Sequence, residues 1–329
     1  MKRNTKIFSL IMAICMSISL CVPAYAAELP SDLKEGISPI SEEVSDFLDN
    51  SQTTQTMVVR EQELIDNMIA EGVITREDLN RNLEELASQS ENALRDSGYN
   101  EKQISAIKSY EEGEDAYNHI YNSGAMTRST AASTEVIFRY GLTGDTSRRL
   151  VTIAYDMTWT SCPFWTFTDS FGVGWVAADK QSGYLATKIV SSIATVDYFT
   201  VGGENAGFHR DVEMNTFSNR AVIGDPLLGK ANGNYGKHIS GVTQVSTQSD
   251  SYNLETIQVF VAYAHTLMTV DFSWEVTLGV DISETTISFS LSPDVEQEMM
   301  VRDNHTFYYN NRNTVVAYER RITLSITTL

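Results

Sequence analysis

Cysteine is almost missing from the working part of this chain. Of three cysteines, Cys15 and Cys21 stand in an N-terminal stretch that reads as a leader, so Cys162 alone would remain after its removal. No intramolecular disulfide can then form, and the fold must rest on a buried core rather than on staples. Neither leader cysteine suits lipidation, because Leu20 and Ile14 precede them where a small residue is needed. Basic residues are scarce too: 24 Lys+Arg stand against 43 Asp+Glu, a formal charge of −19. That field repels phosphate backbones and anionic headgroups, which argues against a nucleic-acid partner and against electrostatic capture by a membrane. Cations and basic partners, or simple solubility, fit it better. There is no second long apolar run, so no stable membrane span is expected after the leader. The C-terminal Ile322-Thr-Leu-Ser-Ile-Thr-Thr-Leu329 reads as an alternating strand without a sorting motif.

Chemical motifs are missing as well. H-E-x-x-H, paired cysteines, D-x-D-x-D-G and G-x-S-x-G do not occur. Gly172-Val-Gly-Trp-Val-Ala177 fits G-x-G-x-x-A only superficially, since the surrounding residues read as strand and no helix follows. No cofactor is expected. Cys162 is the one thiol that could serve as a nucleophile, but its surroundings carry no cysteine-protease signature. Acids are too abundant to single out a glycosidase pair. The residues lean away from an enzyme, and a catalytic set formed only in space is left open.

What is present begins with the leader. Lys2, Arg3 and Lys6 precede an apolar run from Ile7 to Val22 that ends at Ala24-Tyr-Ala26. This is the pattern of a secretory signal peptide cleaved after Ala26, so the protein is expected to be exported. Losing those three basic residues and no acid takes the formal charge from −19 to −22.

Residues 27–123 read as a helical region. Ser41 with Glu42 and Glu43 is expected to cap a short helix stopped by Asn50. A second helix is expected over 56–71, with Val58, Ile65, Met68 and Ile69 inward and Gly72 as its cap. Thr75-Arg-Glu-Asp78 opens a third, carrying a stripe of Leu79, Leu83, Leu86, Ala93 and Leu94. Asn100-Glu-Lys-Gln103 opens a fourth, carrying Ile104, Ile107, Tyr110, Tyr117 and Ile120. Residues 124–134 are small, polar and aperiodic, and read as a linker.

From residue 135 to 329 the period becomes two. Val151, Ile153, Tyr155, Met157 and Trp159 alternate with Thr152, Ala154, Asp156, Thr158 and Thr160, one apolar face against one mostly polar face. Parity flips between Tyr263 and Met268, implying a bulge or bend near Thr266. The expected architecture is α+β by segregation, with N-terminal helical hairpins followed by a β-sandwich of roughly 8–10 strands.

Two site expectations follow. Trp159, Phe164, Trp165, Phe167, Phe171 and Trp175 cluster around Cys162-Pro163, and Phe164 and Trp165 are the pair expected at an exposed tip that could bind a ligand. His209, Asp211 and Glu213 share one side of a strand and could hold a metal. The overall reading is a secreted, non-enzymatic protein that binds an unidentified cell-surface or extracellular ligand. A membrane-active, β-pore-forming protein is the alternative, since Thr269 to Leu278 alternates over about one membrane crossing. An exported hydrolase is the third.

Overall fold

The computed structural model describes residues 33–317, apart from 71, 73, 123–133, 162, 166–167, 180–182, 201–202, 213, 218–219, 224–229, 232–233, 267–272, 278–285, 291–300, 311 and 313. The leader, most of the linker, Cys162, Glu213 and the C-terminal strand beyond residue 317 therefore lie outside the described residues.

Two large antiparallel sheets form the body, and the α+β expectation with a sandwich-like β portion holds. The first is eight-stranded, in the order β1 (Leu33–Glu35), β8 (Asn205–Val212), β7 (Thr187–Phe199), β12 (Asn234–Thr247), β4 (Leu150–Trp159), β3 (Glu135–Gly144) and β2 (Gln55–Arg60), with β11 (Lys230–Ala231) beside β12. The second is seven-stranded, in the order β17 (Val315–Ala317), β16 (Val301–Tyr309), β13 (Thr256–Thr266), β5 (Thr168–Asp179), β10 (Arg220–Ile223) and β9 (Asn215–Phe217), with β6 (Gly183–Leu185) beside β5. β13 is described as far as Thr266, and the expected change of parity beyond it falls on residues 267–272, outside the described residues. Between the sheets lies a core of Phe138, Tyr140, Ile153, Tyr155, Trp159, Phe171, Trp175, Tyr263 and Phe307. These side chains alternate along their strands, as a pleated, half-buried surface requires. β12 passes the Tyr155 ring at Gly241, where an added Cβ would stand 2.4 Å from ring atoms.

Helices cover the outside of both sheets. α1 (Pro39–Asn50) lies on the first, placing Ile40, Val44, Phe47 and Leu48 on Ala154 and Val242. Its cap is Ser38, followed by Pro39 in the first turn, rather than the expected Ser41. α2 (Glu61–Ala70), α3 (Arg76–Ser88), α4 (Glu91–Asp96), α5 (Glu101–Lys108) and α6 (Ala116–Tyr121) form a cluster on the second sheet, where their apolar residues meet Val176 and Phe260. Leu79, Leu83, Leu94, Ile104, Ile107, Tyr117 and Ile120 are buried there, as their spacing predicts.

Three local expectations change. Residues 55–60 form an edge strand paired with β3 instead of the start of a helix, leaving Val58 51% exposed. The third expected helix is two, because Ser90 caps α4 in the middle of the stripe, and the fourth is two, because Asp115 caps α6. Both β1 and β2 come from the region read as helical, and they occupy the two edges of the first sheet. The N-terminal segment thus straps that sheet from one edge to the other, with α1 between.

Candidate functional site

The mostly polar face of β4 is covered by α1. Beneath the helix two rows of side chains run across the sheet. Register sets Lys34, His209, Asp197, His238 and Thr158 side by side in one row. Asp211, Thr195, Ser240, Asp156 and Arg139 make up the next. Successive strands place opposite residues on one face, so six strands build a patch that no short motif encodes.

His238 is the centre of this patch, with a side chain 15% exposed. Its Nδ1 stands 3.2 Å from Asp197 Oδ2, and its Nε2 stands 3.7 Å from Asp156 Oδ2 and 3.1 Å from Ser240 Oγ. Burial alone would lower the basicity of the imidazole. The hydrogen bonds and charges of Asp156 and Asp197 outweigh burial and push its pKa up to about 9. Burial likewise works against the Asp197 carboxylate, but His238 and the backbone N–H of Ser38 hold its pKa below the ordinary value. Arg139 continues the chain of charges: its Nε donates to Asp156 at 3.0 Å, and its other nitrogens reach Asp156 again, Asp49 and Ser45.

The sequence Asp197, His238, Asp156, Arg139, Asp49 therefore alternates in sign and begins and ends at α1. Ser38 N–H donates to Asp197 Oδ1 at 3.1 Å at the helix N-terminus, where a carboxylate also meets the positive end of the dipole. Asp49 and Ser45 take the other end, one turn apart. The cluster is a clamp on the helix.

Ser240, His238 and Asp197 have the distances of a Ser–His–Asp set, but their protonation and burial argue against that chemistry. An imidazolium with both N–H groups donating cannot accept a proton from Ser240, and this state persists to about pH 9. Ser240 is fully buried.

The residues singled out in the sequence lie elsewhere. Phe164 and Trp165 do not form an exposed tip: they are 1% and 0% exposed and insert into the helical cluster. Trp165 Nε1 donates to Tyr121 Oη at 3.0 Å, its backbone N–H donates to the buried Glu61 carboxylate at 2.9 Å, and Phe164 packs edge-on against it. The break at Pro163 turns these rings inward because the helices offer them an apolar seat. His209 and Asp211 do share a side of β8, but both are engaged by the N-terminal strap. His209 Nδ1 meets Gly36 O at 2.9 Å, and Asp211 pairs with Lys34. Glu213 is outside the described residues. Among the described residues, no three His, Cys, Asp or Glu side chains are grouped to hold a metal ion. No described helix is long and apolar enough to cross a membrane.

No protein-family model matches the chain, and no curated protein matches it. Among solved structures it is similar to one described as a pore forming protein, with 10% identity over 56% of this chain and 90% of the other at a TM-score of 0.23. It is also similar to the KRT10-binding region domain of the pneumococcal serine rich repeat protein PsrP, with 10% identity over 42% and 81% at 0.22. A third is the collagen-binding domain from a Staphylococcus aureus adhesin, with 8% identity over 51% and 95% at 0.22. At such scores these likenesses carry no argument about what this chain does.

Proposed function

We propose that this protein is exported and acts outside the cell as a binding protein, holding a cell-surface or extracellular ligand through its β-sandwich without a reaction of its own. Export rests on the leader pattern that ends at Ala26. The observation that carries the non-catalytic reading is the state of His238: the Ser240–His238–Asp197 arrangement, which among the described residues resembles a hydrolytic triad, is mostly buried and held cationic by two carboxylates. Its strong interactions bind the protein's own helix, which is a structural use of charge. The acidity of the mature chain favours a neutral or basic ligand over an anionic one.

The test is a binding screen of the mature protein by surface plasmon resonance against peptidoglycan fragments, polysaccharides, extracellular-matrix proteins and zwitterionic liposomes. Parallel turnover assays use ester, peptide and glycoside substrates. Saturable binding without turnover is expected. Turnover that Ser240→Ala abolishes in a folded protein would overturn the reading in favour of a hydrolase.

A further inference from the structure

Two strands, β14 (Ser273–Thr277) and β15 (Thr286–Ser290), pair only with each other among the described residues, and every other strand belongs to one of the two sheets. Of those sheets, the second is only partly covered on its outer face. The helical cluster meets that face at Val176 and Phe260, and Gln258, in the same row as Val176, is 2% exposed. Two residues further along the strands, side chains reach solvent. Register there sets Tyr184, Ala178, Thr256, Tyr308 and Val316 side by side on β6, β5, β13, β16 and β17. The adjacent row of Leu185, Ala177, Ile257 and Phe307 points into the core, so this one points outward. Tyr308 is 37% exposed, and the other four are half-buried.

The row forms a shallow trough. Tyr184 and Tyr308 stand three strands apart, about 14 Å at the spacing of a sheet, and the two positions between them carry the short side chains of Ala178 and Thr256. Two rings thus flank a low floor. Both are held in place by the protein itself: Tyr184 leans on the helical cluster, and Tyr308 stands inside a ladder, between Thr256 on one side and Val316 on the other. A ring fixed beforehand gives up little freedom when something stacks on it. None of the five residues carries a charge.

We infer that this trough binds a neutral oligosaccharide, laid across the strands with a sugar ring against each tyrosine. The inference rests on the extracellular-binding reading and gives it a site and a ligand class. A pyranose presents flat C–H faces bordered by hydroxyls, and tyrosine meets both with an apolar ring and a polar tip. Thr256 adds a hydroxyl on the floor that can donate or accept. Other ligand classes find no counterpart here. A basic ligand meets no carboxylate in the row, and an anionic one meets a formal charge of −19, or −22 once the leader is removed. A protein partner covers about 20–30 residues a side, where this row offers five. One sugar ring is much shorter than the span of about 14 Å, so only a chain of several units engages both tyrosines.

The experiment titrates the mature protein by calorimetry with three neutral hexasaccharides, cellohexaose, maltohexaose and chitohexaose, and with glucose and N-acetylglucosamine beside them. Saturable binding of at least one hexasaccharide is expected, and none of the single sugars. Tyr308→Ala should weaken that binding about tenfold or more, while Tyr308→Phe, which keeps the ring, stays within about threefold. Ala178→Trp, which fills the floor, should weaken it by a factor similar to that of Tyr308→Ala. Each variant is checked for an unchanged thermal midpoint. Hydroxyl-radical footprinting of the wild type needs no variant: the bound hexasaccharide should protect Tyr184 and Tyr308. Binding of none of the three hexasaccharides overturns the inference, as does binding that leaves both tyrosines unprotected. If a protein ligand is found in that case, the extracellular-binding reading stands and the sugar inference alone has failed; if no ligand of any kind is found, both have failed.

Discussion

The two outer faces of the sandwich are both covered by helix, but by opposite chemistry. On the second sheet the helical cluster settles onto Val176 and Phe260 and receives the Phe164–Trp165 loop, an apolar contact with two hydrogen bonds at its centre. On the first sheet a single helix adds to its small apolar contact with Ala154 and Val242 a row of charges that holds it at both ends. Apolar contact is not directional, and it converts buried area into stability. A buried charge chain adds little net stability, but each member depends on its neighbours, so it fixes one position and one register of α1. The aromatic face should therefore be the stronger attachment, and the charged face the one sensitive to pH.

The largest effect should come from the aromatic face. Trp165→Ala removes a fully buried indole that fills the seam between helices and sheet, and a loss of about 3–5 kcal/mol is expected in denaturant unfolding. A loss below about 1 kcal/mol would mean that the helical cluster does not depend on this contact.

The charged face is tested by pH. A His238 pKa raised from 6.5 to about 9 means that the folded protein holds a proton the unfolded chain has released. Its contribution is complete below pH 6.5 and is lost as pH rises through about 9, up to about 3 kcal/mol in all. Asp197 acts in the opposite sense. Its depressed pKa contributes above 3.8, and that contribution fades as pH falls through the folded value. The thermal midpoint of the wild type should decline between pH 6.5 and 9 relative to that of His238→Gln, in which the imidazolium is gone. Parallel curves for the two proteins would remove the clamp from the account.

A smaller effect is expected inside the core that both faces share. At Gly241 a methyl group would meet the Tyr155 ring, which is sealed between the sheets and cannot swing aside, so Gly241→Ala should cost about 1–3 kcal/mol without a change in pH dependence. A neutral substitution would show that β12 can shift over Tyr155.

These contrasts also explain what was legible in the sequence. The β4 alternation and the capping boxes at Thr75 and Asn100 are local signals, and the structure follows them. Local reading failed where two signals overlapped. Ser90 and Asp115 are caps set inside continuous apolar stripes, and Gln55–Arg60 has the alternation of a strand beside a helix start. The charged cluster was out of reach because Arg139, Asp156, Asp197 and His238 come from four strands and meet only through register. Its faint signal was Asp156, an acid on the mostly polar face of β4. Phe164 and Trp165 misled for a related reason. A turn after Pro163 suggests exposure, and only the helical cluster, distant in sequence, supplies the seat that buries them.

The smallest effect, and the one that bears most on how the two faces are joined, concerns a cut between them and the strands. Residues 124–134 are small and polar, and trypsin is expected to cleave first after Arg128. A linker between independent domains would then release a strand-rich fragment. Here the N-terminal piece carries β1 and β2, which pair with β8 and β3 of the C-terminal piece. It also carries α1 with its charge clamp and the helices that hold Trp165. Cutting one peptide bond removes none of these contacts. The nicked protein should elute from a gel-filtration column as one species with an almost unchanged thermal midpoint, and separate only in denaturant. Release of the 135–329 fragment under native conditions would break the comparison at its root, because the coverings of both sheets would then be attachments rather than layers of one fold.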